Sequence, residues 1–241
     1  MTARLREMQR LRRAYAGRRA GGREDRYVPF EPANLFRLQS LERAITAMLR
    51  SSGLLPMEGR TALDVGCGGG WWLRTLLRWG ARPDEIAGID ALPEAIGAAR
   101  RVHPDTGLFL GAADALPFAD ATFDLVTQFT VFSSMLDAGV RQRTAAEMLR
   151  VLRPGGMVLW YDFTVNPTNR QTRGIGAREA AALFPGCAKR LRRVTLAPPL
   201  ARLVAPRSWL GAALLESIPP LRTHLLMLAR KPAGRLTRIT R

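Results

Sequence analysis

Short apolar runs alternate with helical patterns through the middle of the chain. The runs predict five strands, at residues 61–66, 85–90, 108–112, 123–130 and 157–163. Apolar positions at helical spacing predict the intervening helices near 71–79, 93–102 and 141–151. Strands that are apolar on both faces must be covered on both sides, and crossovers between parallel strands are right-handed. The pattern therefore predicts an α/β fold with a doubly wound, mainly parallel sheet.

The segments before this core have a looser pattern. Residues 35–54 carry apolar positions at helical spacing, with Asn34 as the expected N-cap. We expect residues 1–26 to be a basic leader that is flexible or weakly helical, because glycines interrupt its pattern. The leader's thin apolar stripe consists of Leu5, Met8, Leu11 and Tyr15.

The segments after the core predict a smaller set of elements. These are a short helix at 178–184, a strand at 190–196, a helix near 209–215 and a last strand at 222–229. We therefore expect one domain over residues 27–230, with its core at about 54–163 and a cap region at about 164–221. Residues 231–241 form a basic tail.

Composition and charge narrow the class of protein. The 241 residues contain two cysteines, which excludes a disulfide framework, and no apolar run is long enough to cross a bilayer. With no secretory signal visible, we expect a cytoplasmic location. The net charge is +17, of which residues 1–26 carry +6 and residues 231–241 carry +4. Such ends can bind a polyanion, but a coding bias towards arginine explains them more simply.

The sharpest motif is a glycine-rich turn, which reads DVGCGGG at 64–70. It closes the first predicted strand and opens a helix, where unpaired backbone N–H groups can meet a ligand. Trp71 stands where a dinucleotide-binding turn has its third glycine, and no P-loop Lys follows. The spacing favours a ligand that carries a carboxylate and an amine over a pyrophosphate.

Four motifs in order resemble the class I S-adenosylmethionine-dependent methyltransferases. They are LDVGCGGG at 63–70, GID at 88–90, AADALPFADATFDLV at 112–126 and EMLRVLRPGGMVLWYD at 147–162. The resemblance covers about residues 54–163, and more loosely extends to 231. It implies a Rossmann-like methyltransferase fold, S-adenosylmethionine as cofactor and direct methyl transfer without a metal ion.

The resemblance also implies a set of cofactor-binding residues. The turn glycines would line the methionine part, Asp64 would orient its amino group or the turn, and Asp90 would accept hydrogen bonds from the ribose hydroxyls. Asp114 would lie near the adenine amino group, and Cys67 is expected to be a partly buried spectator. The complete predicted set is Asp64, Gly66, Cys67, Gly68, Gly70, Asp90, Ala91, Ala113, Asp114, Ala115, Gln128 and Phe129.

A general base would have to lie at the carboxyl edge of the parallel strands. Tyr161 and Asp162 end the fifth strand and are candidates. The resemblance suggests that the last strand is antiparallel, which would bring His224 to the same edge, as a base, a substrate anchor or a buried core histidine. His103 precedes a proline and is expected in a surface loop.

The acceptor is predicted to be a small molecule, methylated most simply at oxygen. Tyr27, Asn166 and Arg170 are the candidate acceptor-binding residues. The segment QFTVF at 128–132 lacks the Pro-Pro motif of amine-methylating relatives. The alternative is an RNA or other polyanion acceptor that binds to the Arg-rich ends. A third hypothesis is a binding protein that does not catalyse a reaction, and the intact glycine turn disfavours it.

Overall fold

The computed structural model describes residues 3–20, 30–165, 169 and 171–233. Its helices are α1 (Ala3–Ala20), α2 (Pro32–Arg50), α3 (Trp71–Arg78), α4 (Pro93–Val102), α5 (Ala138–Val151), α6 (Ala177–Ala182), α7 (Pro198–Val204) and α8 (Trp209–Ser217). Its strands are β1 (Ala62–Val65), β2 (Ile86–Asp90), β3 (Gly107–Leu110), β4 (Phe123–Phe129), β5 (Leu152–Phe163), β6 (Ala188–Leu196) and β7 (Arg222–Arg230).

The strands form one seven-stranded sheet in the order β3-β2-β1-β4-β5-β7-β6. The first five strands in this order are parallel, whereas β7 runs antiparallel to β5 and to β6. The predicted doubly wound, mainly parallel α/β fold is therefore confirmed. Because the chain winds in one direction after β1 and in the other direction after β4, a crevice opens at the carboxyl ends of these two strands.

Each face of the sheet has its own hydrophobic core. Ile45 of α2 and Leu73 of α3 belong to the core on one face, and Met148 of α5 and Phe184 belong to the core on the other. A third, smaller cluster joins α2, α7 and α8 around Phe36. The two main cores cover β1, β2 and β4 on both sides, and nearly every residue of these strands is buried, whereas the edge strand β3 is mostly exposed.

One local prediction was wrong, and one helix was not predicted. Helix α2 begins at Pro32 with Glu31 as its N-cap, so Asn34 is buried in the first turn and the predicted cap was wrong. Proline at the first helical position sets this start, since its φ is already helical. Helix α7 also begins with prolines, at Pro198, and the sequence pattern missed it for that reason. Residues 3–20 of the predicted leader form α1.

Candidate active site

The glycine-rich turn connects β1 to α3 and lies against the end of β2. The backbone N–H of Gly66 donates to the Ile89 carbonyl at 2.7 Å. Gly66 has φ +74°, and a Cβ there would overlap the Val131 side chain. Gly70 has φ +83°, and a Cβ there would lie 2.6 Å from Cδ2 of His103. Both positions therefore require glycine, for backbone conformation and for space.

His103 packs against this turn and stabilises it. The prediction that His103 lies in a surface loop was wrong. The side chain is buried, and its Nε2 lies 2.9 Å from the Gly70 carbonyl oxygen. Because a carbonyl only accepts, Nε2 carries the proton in this contact. His103 ends α4, so the helix after β2 and the turn after β1 are held together by this hydrogen bond.

Asp90 stands at the tip of β2 and faces the turn. Its Oδ2 accepts the Gly68 N–H at 3.0 Å, and its Oδ1 accepts the Leu92 N–H at 2.9 Å. Burial raises the pKa of Asp90 above its ordinary value, and the backbone N–H groups of Leu92 and Gly68 oppose that shift. Each carboxylate oxygen keeps lone-pair capacity for a further donor.

A cavity of about 410 Å³ lies between the carboxyl edge of the sheet and helix α1. A volume in this range is typical of small-molecule sites. The residues of the predicted cofactor set that line it are Gly66, Gly68, Asp90, Ala91, Ala113, Asp114 and Phe129. The turn, the tip of β2 and the loop after β3 thus meet at one cavity.

Two of the remaining members of the set are buried beneath the cavity. The Asp64 carboxylate accepts the Thr127 hydroxyl at 2.8 Å, and burial raises the pKa of Asp64 to about 8. The Gln128 side chain donates to the Tyr161 carbonyl at 3.1 Å and accepts the Val131 N–H at 3.0 Å. These contacts shape the strand ends and the segment after β4, and neither side chain lines the cavity.

The other members also lie away from the cavity wall. Cys67 is buried beside Gly88, and burial raises the pKa of its thiol, which disfavours the reactive thiolate. Gly70 caps α3 behind the turn, and Ala115 is exposed on the loop after β3. Cys67 and Gly70 contribute backbone geometry to the turn.

Helix α1 forms the opposite wall, which the sequence analysis did not assign to the site. Met8, Leu11 and Tyr15 line the cavity together with Arg4 and Glu7. The first three are members of the apolar stripe noted in the leader, so a signal existed in the sequence. The sequence pattern did not show which surface of the protein this stripe covers.

Polar contacts join α1 to the loops around the cavity. The Arg4 Nε lies 2.9 Å from the Asp114 carboxylate, which also pairs with Arg143 at 3.1 Å. The Glu7 carboxylate accepts the Leu136 N–H at 2.7 Å and pairs with Arg10 at 2.7 Å. Asp114, the acid expected near adenine, is therefore neutralised by arginines from α1 and α5.

The three candidates for a general base do not line the cavity. The Tyr161 and His224 rings stack at 5.0 Å, and the Phe129 ring lies 6.0 Å from Tyr161 on the cavity side. Burial, followed by the charge of Arg37, lowers the pKa of His224 to about 3, so His224 is neutral. Tyr161 shares a 2.9 Å hydrogen bond with Thr195, and burial raises its pKa to about 12.

Asp162 lies on the other face of β5 from this stacked pair, since neighbouring strand residues alternate. Its carboxylate accepts the backbone N–H groups of Ser133 and Phe163, both at 2.9 Å, and burial raises its pKa to about 7. Its catalytic role stays a prediction. The candidate acceptor-binding residues Tyr27, Asn166 and Arg170 lie outside the described residues.

The fold and the site together define a class of enzyme. A sheet of order 3-2-1-4-5-7-6 places a glycine-rich turn after β1 and an acid at the tip of β2 around one cavity. These are the features of a class I S-adenosylmethionine-dependent methyltransferase. Residues 62–156 match the family described as "Methyltransferase domain". The family match, the curated relatives and the solved structures agree on class I methyltransferases, whose members use S-adenosylmethionine as methyl donor.

Individual relatives differ in the acceptor that their names give. The chain is 30% identical over 166 residues to a ubiquinone biosynthesis O-methyltransferase of Cereibacter sphaeroides, a match that covers 66% of this chain and 65% of that protein. It is 33% identical over 127 residues to a dimethylglycine N-methyltransferase of Parasynechococcus marenigrum, covering 50% and 43% of the two chains. The match thus spans less than two thirds of these relatives.

A solved structure shares the fold. The S-adenosylmethionine-dependent methyltransferase from Mesorhizobium loti superposes with a TM-score of 0.57 at 20% identity, covering 77% of this chain and 96% of that one. Among the residues described here, no helix combines the length and the apolar character that a membrane crossing needs.

Proposed function

We propose that this protein transfers a methyl group from S-adenosylmethionine to an oxygen atom of a small-molecule acceptor by direct displacement. The observation that carries the proposal is the cavity shared by the glycine turn, the tip of β2 and helix α1. Its wall is mainly apolar, with Asp90 and the backbone of the turn as polar anchors, which suits a ligand of mixed character.

The residues present fit this cofactor. The backbone of Gly66 and Gly68 would hold the methionine part, close to the chain because neither glycine has a side chain. Asp90 would accept the ribose hydroxyls with the lone pairs that Gly68 and Leu92 leave unused. The loop at Ala113 and Asp114 would border the adenine.

When bound, the cofactor supplies an electrophilic methyl group on a sulfonium sulfur. The protein's part is to align the acceptor oxygen and to exclude water, and α1 closes one side of the cavity for this purpose. A phenolic acceptor with a pKa of about 10 would gain from a base. Asp162, Tyr161 and His224 are buried and none of them lines the cavity, so we assign the base to none of these three residues.

Two observations support oxygen as the acceptor atom. A relative that matches 166 residues of the chain is named an O-methyltransferase. The segment after β4 turns at Thr130, with φ +58°, and lacks the Pro-Pro motif that amine-methylating relatives carry there. The RNA alternative loses support because Arg4 and Arg10, counted in the basic leader, pair with Asp114 and Glu7.

The test is methyl transfer from tritiated S-adenosylmethionine to phenols, carboxylic acids, amines and total RNA in parallel. We expect label in an oxygen-bearing small molecule, and loss of labelling in Asp90→Ala. Asp84→Ala is the matched control, since Asp84 is an exposed acid on the short turn before β2. Label only in amines or in RNA would overturn the proposal.

A further inference from the structure

The helical hairpin between β6 and β7 exposes a face of large apolar side chains. Leu203 of α7 is 60% exposed, and Leu210 and Leu214 of α8 are 71% and 61% exposed. Leu210 and Leu214 are one helical turn apart, so they share one side of α8. Ile218, just after α8, is also exposed. We call this set of four side chains the hairpin face.

The opposite side of the hairpin is packed, so the exposure is not the result of a detached helix. Ala201 and Ala212 are fully buried against the cluster around Phe36 of α2. The Trp209 ring meets the Phe36 ring edge-on at 5.3 Å. The hairpin is thus fixed on α2, and the hairpin face points away from the protein.

The charged side chains that are exposed on the hairpin and on β6 are all positive. Arg202 and Arg207 are exposed within the hairpin, and Arg192 and Arg193 are exposed on the strand before it. Glu216 is the single acid of residues 197–222. Its carboxylate accepts the Ser40 hydroxyl at 2.5 Å and the Leu196 N–H at 3.1 Å, so it is used inside the fold.

An apolar face with a basic fringe fits the interface of an anionic bilayer, where leucines enter the acyl boundary and arginines meet phosphates. A second copy of the chain fits less well, since two molecules of net charge +17 repel. We propose that the hairpin face docks on an anionic phospholipid bilayer.

The place of the hairpin in the fold connects this surface to the cavity. Strand β6 ends at Leu196, which pairs with Arg222 at the start of β7. His224 of β7 pairs with Phe163, the last residue of β5. The hairpin therefore leaves the sheet at the edge where the parallel strands end. Docking would bring the edge that carries the cavity close to the bilayer, where an apolar acceptor concentrates.

The test is co-flotation of the full chain with vesicles, which is independent of methyl transfer. One set of vesicles contains phosphatidylcholine alone, and the other contains equal parts of phosphatidylcholine and phosphatidylglycerol. We expect binding to the second set, weakened by salt, and on the order of 100-fold weaker binding by the double variant Leu210→Glu/Leu214→Glu. Val102→Glu, at an apolar position on α4 that is 47% exposed, should bind as wild type does.

Circular dichroism should show the same fold for all three proteins, because the substituted side chains are exposed. Equal vesicle binding by the double variant and wild type would overturn the proposal, as would the absence of wild-type binding to anionic vesicles. A dimer in sedimentation equilibrium that the double variant abolishes, without vesicle binding, would assign the hairpin face to a second copy instead.

Discussion

Asp90 allows a quantitative test of the cofactor site. Oδ1 and Oδ2 each accept one backbone N–H, from Leu92 and from Gly68, and each keeps capacity for one hydroxyl donor. A hydrogen bond to a charged group contributes about 1.5–3 kcal/mol, so two contribute about 3–6 kcal/mol. Asp90→Ala should therefore raise the Kd for S-adenosylhomocysteine by about 10²- to 10⁴-fold.

The substitution also frees the Gly68 N–H and could loosen the turn, so the single variant does not isolate the ribose contact. A double-mutant cycle does. Calorimetry would compare wild type and Asp90→Ala, each with S-adenosylhomocysteine and with its analogue that lacks both ribose hydroxyls. Asp84→Ala serves as the control for loss of an exposed acid.

The expected result is strong coupling. Removing the hydroxyls should cost wild type about 3–6 kcal/mol and should cost the Asp90→Ala variant little, because the acceptor is already gone. Equal losses in the two proteins would refute the assignment of Asp90 to the ribose, even if the variant bound weakly.

Three further predictions follow from other parts of the site. Deleting residues 1–20 removes the wall formed by α1 and should weaken cofactor binding by about 10- to 100-fold in calorimetry; an unchanged Kd would contradict this role. Gly70→Ala should lower the free energy of unfolding in urea by about 1–3 kcal/mol, and by more than Gly59→Ala, because φ is positive at both but only Gly70 has a close neighbour, His103. The folded state holds a proton on Asp64 up to about pH 8, whereas the unfolded chain releases it near pH 3.8, so this group's contribution to stability falls as pH rises between those values. The free energy of unfolding of Asp64→Asn, measured in urea, should therefore increase relative to that of wild type as pH rises from 4 to 8. If the difference between the two proteins stayed constant over this pH range, the pKa shift of Asp64 would be absent.

The sequence predicted the features of the fold that depend on local pattern. The parallel strands are apolar on both faces, and this pattern located all five of them, although β5 begins at Leu152, earlier than expected. The glycine turn was also found because it follows β1 directly, and Asp90, the last residue of β2, was found through the GID motif at 88–90 that carries the resemblance. The turn and Asp90 meet at one cavity because the strands are parallel, so that their carboxyl ends lie at the same edge of the sheet.

The parts of the site that the sequence did not predict depend on distant contacts. Arg4 meets Asp114 across 110 positions, and Glu7 meets Leu136 across 129. No local pattern encodes such a contact. The orientation of strand-end side chains was also hidden: Asp64 and Gln128 point into the fold because Thr127 and Val131 supply their partners.

The measurement that tests the central claim most directly is a calorimetric titration of the purified 241-residue wild-type chain with S-adenosylmethionine. If the cavity between the glycine turn, Asp90 and α1 is the methyl-donor site, the titration saturates at one molecule per chain with a Kd in the micromolar range. A titration without saturable heat at several temperatures, from a protein shown to be folded, would contradict the account.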